Sequence, residues 1–490
     1  MKQFILSIDQ GTTGSTAVVT THDGQTVGAH SLDFPQHFPQ PGWVEHEPED
    51  LWSSVRDAVK GALKAANITG ANIAGIGITN QRETTLLWDR KNSKPVYRAI
   101  VWQCRRTAEM CEALKSAGHE EQVRQTTGLV LDPYFSGTKL RWLLDHVEGA
   151  RARAEAGELA FGTVDSFLVW RLSSGDTHIT DATNASRTML ASLHTGDWDA
   201  DMLNMLGIPA AVLPRVVDSA GVVAKTRGLD FLPDGIPIAG IAGDQQAALF
   251  GQGCVHPGDA KCTYGTGAFA LINTGDSVVR SSAGLLSTVA WRLNGQLSYA
   301  LEGSSFVAGA AVQWLRDGLG LISDSAEVEK LAREVPDAGG VLFVPALTGL
   351  GAPYWRPEAR GMISGLTRGT TRAHVARATL EGIAHGVTDL LGAMAEGPTR
   401  VSRLRVDGGA AANDLLMQLQ SDYANVVVER PVELESTARG AALLAAVGLG
   451  LLTITEASLS VKPEATFQPI SDEISRDRAR NQWQAAIVRC

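Results

Sequence analysis

An apolar run, FILSI, opens this chain and gives way to Asp9-Gln10-Gly11-Thr12-Thr13-Gly14-Ser15, after which TAVVTT restores a β-rich pattern. The alternation predicts two strands joined by a polar loop, and a further extended run begins at Gln25 after the His22-Asp23-Gly24 turn. Asp33 to His46 carries three prolines and three aromatics, which opposes regular structure. The period then changes. From Pro48, residues Leu51, Val55, Ala58, Ala62 and Ala66 share one helical face, with Trp52, Val59 and Leu63 beside it. Ile73 to Ile78 predicts a buried strand, followed by the polar stretch Thr79-Asn80-Gln81-Arg82-Glu83-Thr84 before LLWD resumes. Ala99 to Trp102 predicts a short strand. Arg105 to Ser116 and Ser136 to Val147 predict helices, the second after Asp132-Pro133-Tyr134.

The opening pattern returns near the middle of the chain. Lys261 to Tyr264 leads into Gly265-Thr266-Gly267-Ala268, and Phe269 to Ile272 resumes an extended run. Strand, Gly/Thr loop and strand thus occur about once per half-chain. Between them, Ile236 to Gly253 predicts a strand that passes through Gly243 and Asp244-Gln245 into a small-residue helix. Strand and helix continue to alternate as far as Val447, which predicts a second α/β domain from about residue 251: 1–250 and 251–490. Two uncharged stretches remain. Ala338 to Trp355 is broken by Pro345, Pro353 and glycines and predicts strand and loop; Gly440 to Thr455 is too short and too Gly/Ala-rich to span a bilayer and predicts a buried helix.

The polar junctions carry the candidate chemistry. Gly11 and Gly14 allow close approach of backbone N–H groups to an anion, Thr12, Thr13 and Ser15 add hydroxyl donors, and Asp9, at the strand end, is placed to hold a hydrated Mg²⁺. An ordinary hairpin with a polar turn has the same composition. Two phosphate-gripping hairpins facing across a cleft is the arrangement of actin-, hexokinase- and Hsp70-type ATPases. No Gly-Lys dipeptide occurs, so a Walker A loop is excluded, and Gly265 to Ala270 fits G-x-G-x-x-A but runs into strand rather than helix. Arg82-Glu83 lies at a strand's carboxyl end, where α/β sheets bind ligands; taken alone it also fits a solvated ion pair. Asp244 is either a helix cap or a proton acceptor for a hydroxyl. Gly309 and Gln313 share a helix face, and Arg405 to Ala410 is a strand into a Gly-rich helix start, with Asn413 one turn in. Glycines there let a flat adenosine lie on backbone, or let helix and strand pack closely.

Composition narrows the partners. The 490 residues are 44% hydrophobic and 20% charged, with a formal charge of −10 and no basic tract, which argues against nucleic acid or an anionic membrane surface. Five cysteines, with no C-x-x-C pair, oppose a disulfide framework or zinc site and fit a cytoplasmic protein. The strand-like N-terminus offers no apolar signal core, and the histidines show no ligand spacing.

These runs resemble the FGGY carbohydrate-kinase family, in its glycerol branch. The resemblance rests on Asp9-Gln-Gly-Thr-Thr, PGWVEH at 41–46, GITNQRETT at 77–85, AIVWQCRRT at 99–107 and GLVLDPYFSGTK at 128–139. It continues through TNASRTML at 183–190, GIAGDQQAALFGQ at 240–252, TYGTG at 263–267, LTGLGAPYW at 347–355 and VDGGAAAN at 406–413, covering nearly the whole chain in order. It implies an α/β fold of two ribonuclease-H-like domains flanking a cleft, and transfer of the ATP γ-phosphoryl to glycerol, giving sn-glycerol 3-phosphate. It further implies glycerol contacts at Arg82, Glu83, Tyr134, Asp244 and Gln245, with Trp102 and Phe269 as apolar walls. Nucleotide contacts fall at Thr12, Thr13, Thr266, Gly309, Gln313, Gly409 and Asn413, with Gly14 in the same loop. Asp9 and Asp244 lie at the Mg²⁺, Asp244 also as general base, in a cytoplasmic homodimer or homotetramer. Two departures stand out. The family's first loop reads D-Q-G-T-T-S-S-R, whereas Gly14 and Thr16 replace its first serine and its arginine, and Lys225 to Ile236 lacks the Gly-Gly-x-x-Gly-x-Arg associated with fructose 1,6-bisphosphate inhibition. A sister FGGY kinase for another polyol or ketose is the near alternative, an actin- or Hsp70-like switch a remote one, and a Rossmann dehydrogenase remoter still.

Overall fold

The computed structural model describes residues 3–356, 358–395, 400–433 and 435–490. Both predicted hairpins form, and each seeds a sheet. The first sheet runs, in spatial order, Ala220–Lys225, Pro237–Gly243, Ile73–Asn80, Phe4–Gln10, Gly14–Thr20 and Thr26–Asp33. The second runs Leu286–Leu293, Gln296–Ser305, Ala268–Gly275, Asp259–Tyr264, Arg403–Asp407, Val427–Pro431 and Pro463–Phe467. In both, an antiparallel hairpin continues into two parallel strands and closes on an antiparallel edge. The second sheet adds one strand, Leu286–Leu293, beyond that shared pattern.

The extra strand leans on the first half of the chain. Ser287 donates its backbone N–H to the Gly128 carbonyl at 3.1 Å, Arg292 pairs with Asp218 at 2.7 Å, and Ser186 and Thr288 share a hydroxyl hydrogen bond at 3.1 Å. Val289 and Tyr299 are buried together with Ala182, Ala185, Ala191 and Leu193. Shared apolar burial ties the two sheets at this edge.

The helix Pro48–Ala65 covers the hairpin face of the first sheet, burying Leu51, Val55, Ala58, Val59, Ala62 and Leu63 as the periodicity predicts. The opposite face is covered by Ser436–Gly448, a helix from the far end of the chain. Its Gly/Ala composition has a steric cause. A Cβ on Gly77 would lie 2.1 Å from the Ala441 carbonyl oxygen, and one on Gly440 would lie 1.8 Å from that of Ala247, in the crossing helix Asp244–Gly251. Only glycine permits backbone-to-backbone contact of this kind. Among the described residues no helix is long and apolar enough to cross a membrane.

The helix expected over Gly440 to Thr455 instead spans Ser436–Gly448, with a separate helix at Ile454–Leu459, and two further predicted elements are shorter than their patterns. The strand at Ala99 ends at Ile100, and the helix expected from Arg105 begins at Ala108. Arg105 forks onto Asp132 at 2.7 and 3.2 Å. Arg106 pairs with Glu45 at 2.6 Å, its guanidinium 3.8 Å from the Trp43 ring centroid. These tertiary contacts hold both arginines out of the helix; they outweigh the modest helix propensity of the segment.

Candidate functional site

Register brings the polar junctions together. Gln10, Asn80 and Gly243 stand in one row at the carboxyl ends of three adjacent parallel strands. The next residues on each strand are therefore neighbours: Gly11 to Thr13, Gln81 to Thr85, and Asp244-Gln245. In the second sheet Thr263 is level with Asp407, so Gly265 to Gly267 and Gly408-Gly409 also leave side by side.

In the first loop the Gly11 N–H donates to the Gly14 carbonyl at 2.9 Å. The departure at Gly14 has a local reason. A Cβ there would meet the Leu32 carbonyl oxygen at 2.8 Å and Asp33 Oδ1 at 2.9 Å, so the strand Thr26–Asp33 approaches too closely for serine. Thr12 is half-buried and Thr13 exposed. Thr16 lies directly across from Asp9 in register, and its hydroxyl bonds Ser31 Oγ at 2.8 Å. Burial, with Asp244 and then Glu435 as nearby negative charges, pushes the Asp9 carboxyl up to about 8. Among the described residues no three acidic, histidine or cysteine side chains form a cation cluster. A hydrated Mg²⁺ takes one or two protein carboxylates and fills its shell with water and phosphate oxygens, so Asp9 with Asp244 fits that donor set.

The stretch Asn80 to Thr85 is buried throughout, with Arg82 3% exposed and Glu83 1%. That rejects the solvated ion pair. Arg82 forks onto Glu302 at 2.6 and 2.9 Å, reaches Gln246 Oε1 at 3.2 Å, and sets its Nε 3.1 Å from Asp244 Oδ1. Arg187 donates from Nε to Glu83 at 2.7 Å and from Nη2 to Glu302 at 3.1 Å. Two arginines and two glutamates thus form one buried cluster, and Asp244 touches its edge. Burial alone would raise the Glu302 pKa; Arg187 and Arg82 outweigh it and hold the carboxylate at about 2. For Arg82 burial works against the charge, but Glu302 and then Glu83 drive its pKa further up. Glu83 adopts φ +62°, a left-handed conformation rare outside glycine, and its carbonyl accepts from the hydroxyls of Ser136 and Thr85, each at 3.0 Å.

Around this cluster the Trp102 and Tyr134 rings meet edge to face at 5.5 Å, and the Arg187 guanidinium lies 5.6 Å from the Tyr134 centroid. Lys139 donates to the carbonyls of Pro133 and Phe135 at 3.0 and 2.9 Å and to that of Tyr134, fixing the turn that presents the tyrosine. Asp244 opens the helix Asp244–Gly251; its Oδ1 accepts the Gln245 N–H at 2.7 Å, while Oδ2 has no hydrogen-bond partner among the described residues. Gln245 Oε1 accepts from Lys261, whose Nζ also donates to Thr263 Oγ1 at 2.9 Å. Phe269 is half-buried on the strand opposite Thr263.

On the far side Thr266 is exposed, and its carbonyl accepts from Ala308 at 2.8 Å and Ala310 at 3.1 Å, so the second loop sits against the start of the helix Gly309–Asp317. A Cβ on Gly309 would meet the Gly265 carbonyl oxygen at 2.7 Å; Gln313, on the same helix, is exposed. The two glycines at 408–409 have different surroundings. Gly408, at φ +84°, packs against Tyr264, whereas a Cβ on Gly409 would meet nothing within 4 Å. Asn413 is not one turn into a helix. It is the N-cap of Asp414–Ala424, its Oδ1 accepting the Leu416 N–H at 2.9 Å, because Gly409–Ala412 forms a separate 3₁₀ turn.

Three charged residues at the site escape the sequence reading: Glu302, Arg187 and Lys261. Each is a single charge inside an otherwise uncharged stretch, YALEGSS, TNASRTML and AKCTYG, and that isolation is the signal that marks them.

Residues 4–251 match the N-terminal domain, and residues 260–449 the C-terminal domain, of the FGGY family of carbohydrate kinases. The chain is 57% identical to a glycerol kinase of Alkalilimnicola ehrlichii, over 99% of this chain and 98% of that one. It superposes on the crystal structure of Plasmodium falciparum glycerol kinase with ADP at a TM-score of 0.94 and 35% identity, covering 99% of this chain and 98% of that one. A gluconate kinase from Lactobacillus acidophilus shares the fold at a TM-score of 0.88 but only 21% identity, covering 99% and 97%. The chain belongs to the FGGY family of carbohydrate kinases.

Proposed function

We propose that this chain transfers the γ-phosphoryl group of ATP to a terminal hydroxyl of glycerol, giving sn-glycerol 3-phosphate. The buried run Asn80 to Thr85 carries the reading, because it sets charged donors and acceptors where a small polyhydroxyl molecule needs both. Arg82 and Glu83 would hold two hydroxyls, Tyr134 and Gln245 would complete the polar contacts, and Trp102 and Phe269 would cover the carbon chain. Asp244 Oδ2 would accept the proton of the attacking hydroxyl while Arg82 steadies Oδ1. The hydroxyl oxygen bonds to the γ-phosphorus as the bond to the β–γ bridging oxygen breaks, and that oxygen leaves on ADP. Thr12, Thr13 and Gly14 on one side and Thr266 on the other would grip the phosphates; Gly309, Gln313, Gly409 and Asn413 would line the nucleoside. Asp9 and Asp244 would hold Mg²⁺, which, when bound, neutralises charge on the phosphates. We read two domains, 1–250 and 251–490, that close over the substrates and exclude water, in a cytoplasmic homodimer or homotetramer. Glycerol-dependent ADP release, measured beside xylulose, gluconate and erythritol, tests the function. Preference for another acceptor would make this a sister kinase, and acceptor-independent hydrolysis an ATPase switch.

The open face at Gly409 yields a first expectation. Gly409→Ala meets no protein atom and should leave the melting temperature unchanged. If adenosine lies there, the ADP Kd rises roughly tenfold, the cost of about 1.4 kcal/mol; calorimetric titration with an unchanged Kd would move the nucleoside elsewhere.

A second expectation concerns Thr16. An arginine there would stand on the same face as Asp9, beside the loop of Thr12 and Thr13. A charge-assisted phosphate contact contributes roughly 1.5–3 kcal/mol when well formed. Thr16→Arg should therefore lower the KM for ATP or raise kcat several-fold, with the glycerol KM unchanged. Superimposable ATP titrations at saturating glycerol would show that another group already supplies that charge.

A further inference from the structure

Trp102 belongs to two sites at once. Its ring stands edge to face with Tyr134 in the polyol pocket, and its indole Nε1–H donates to Thr12 Oγ1 in the first phosphate loop at 2.9 Å. An indole nitrogen donates and never accepts. The Thr12 oxygen is therefore the acceptor in this bond, and its single hydroxyl hydrogen is left to point elsewhere. No other group among the described residues is bonded to that oxygen. A threonine hydroxyl free to rotate presents either a lone pair or a proton to an incoming anion; one that already accepts from an N–H is biased to present its proton.

A second tie joins the same elements. Gln81 Nε2 donates to the Gly11 carbonyl and to Gln10 Oε1, each at 3.0 Å, while Gln81 Oε1 accepts from Thr84 Oγ1 at 2.8 Å. Thr84 Oγ1 in turn accepts the backbone N–H of Trp102 at 3.3 Å. Both the backbone and the ring of Trp102 are thus referenced to the phosphate loop. Gln81 is fully buried, where an amide left half-bonded would be costly, so its orientation is fixed.

We propose that Trp102 is a positioning residue for phosphoryl transfer. Its N–H sets the Thr12 hydroxyl as a donor toward a phosphate oxygen of ATP, so one side chain aligns the acceptor pocket with the phosphate loop. The inference rests on the glycerol-kinase reading above. The plain competitor is that the bond merely satisfies a half-buried indole and that Trp102 acts on glycerol alone.

A double-mutant cycle separates them. Trp102→Phe keeps an aromatic wall and removes the N–H; Thr12→Val keeps the shape of threonine and removes the hydroxyl. At saturating glycerol, Trp102→Phe should lower kcat/KM for ATP roughly five- to tenfold, the scale of one hydrogen bond. In the Thr12→Val background the same substitution should change it less than twofold, because the group through which it acts is gone. Thr12→Ser, which restores a hydroxyl, should restore the sensitivity. Trp102→Tyr, whose ring is that of phenylalanine and whose polar hydrogen sits on the para oxygen rather than at the indole nitrogen, repeats the experiment if Trp102→Phe does not fold. Multiplying losses in the double mutant, or a loss confined to the glycerol KM, overturns the proposal. If wild type releases no ADP in response to glycerol, the functional reading itself fails; additive mutants in an active wild type sink only the role of Trp102.

Discussion

Asp244→Asn should give a folded protein that has lost phosphoryl transfer. Asp244 opens the helix Asp244–Gly251, and its Oδ1 forms an ion pair with Arg82 Nε at 3.1 Å and accepts the Gln245 N–H at 2.7 Å. An asparagine can place its carbonyl oxygen in the same position, keep the Gln245 N–H bond and still set an oxygen beside Arg82 Nε, so the fold is preserved. What it cannot do is present a second, proton-accepting oxygen, because Oδ2 becomes an amide nitrogen. Loss of a general base typically costs on the order of a hundred- to ten-thousandfold in rate. The measurement is kcat for ADP release at saturating glycerol and MgATP, together with a melting curve. Turnover near wild type with an unchanged melting temperature would remove Asp244 from the role of base.

Asp244 was readable because it stands where one hydrophobic period ends and another begins. The same is true of Asp9, Thr12, Arg82, Glu83 and Thr266: each sits in a polar break at the carboxyl end of a strand, and an α/β sheet places such breaks side by side. The two hairpins were readable for the same reason, and with them the repetition of one sheet pattern in two halves. Glu302, Arg187 and Lys261 lie inside regular elements or short turns with no break to mark them. Their meaning comes from partners far away in the chain: Arg82 and Glu302 are separated by 220 positions, and Arg187 and Glu302 by 115. Pattern along a strand says which face a residue takes, not which charge will meet it across two sheets. The late start of the helix at Ala108 has the same origin, since Arg105 and Arg106 answer to Asp132 and Glu45 rather than to their own segment. The packing of Ser436–Gly448 on the first sheet was legible only as a buried Gly/Ala-rich helix; its destination is set by glycines at 77 and 440 that allow backbones to touch.

Glu302→Gln should be among the most destabilising single changes in the protein. Oε2 accepts from Arg82 Nη1 at 2.6 Å, and Oε1 accepts from Arg82 Nη2 at 2.9 Å and Arg187 Nη2 at 3.1 Å. Glutamine keeps the volume but replaces one of these oxygens with an amide nitrogen, so at least one guanidinium N–H faces a donor. Among the described residues, two buried arginines are then left with Glu83 as their only buried carboxylate and Asp244 at the edge of the cluster. Breaking a buried ion pair from one side costs about 3–5 kcal/mol. The pH dependence gives the effect a signature. Glu302 is held at about 2, below its ordinary 4.5, so its stabilisation is complete above about pH 4.5 and is lost as the pH falls toward 2. The gap between wild type and Glu302→Gln should therefore be widest at neutral pH and narrow steadily below about pH 4.5. Because Arg82 also steadies Asp244, the glycerol KM of the variant should rise at a temperature where it is still folded. Urea unfolding at pH 7 and pH 3, read by intrinsic fluorescence, measures both limits. Equal midpoints at pH 7, or a gap that stays constant down to pH 3, would show that the carboxylate between Arg82 and Arg187 does not hold the two halves of the site together.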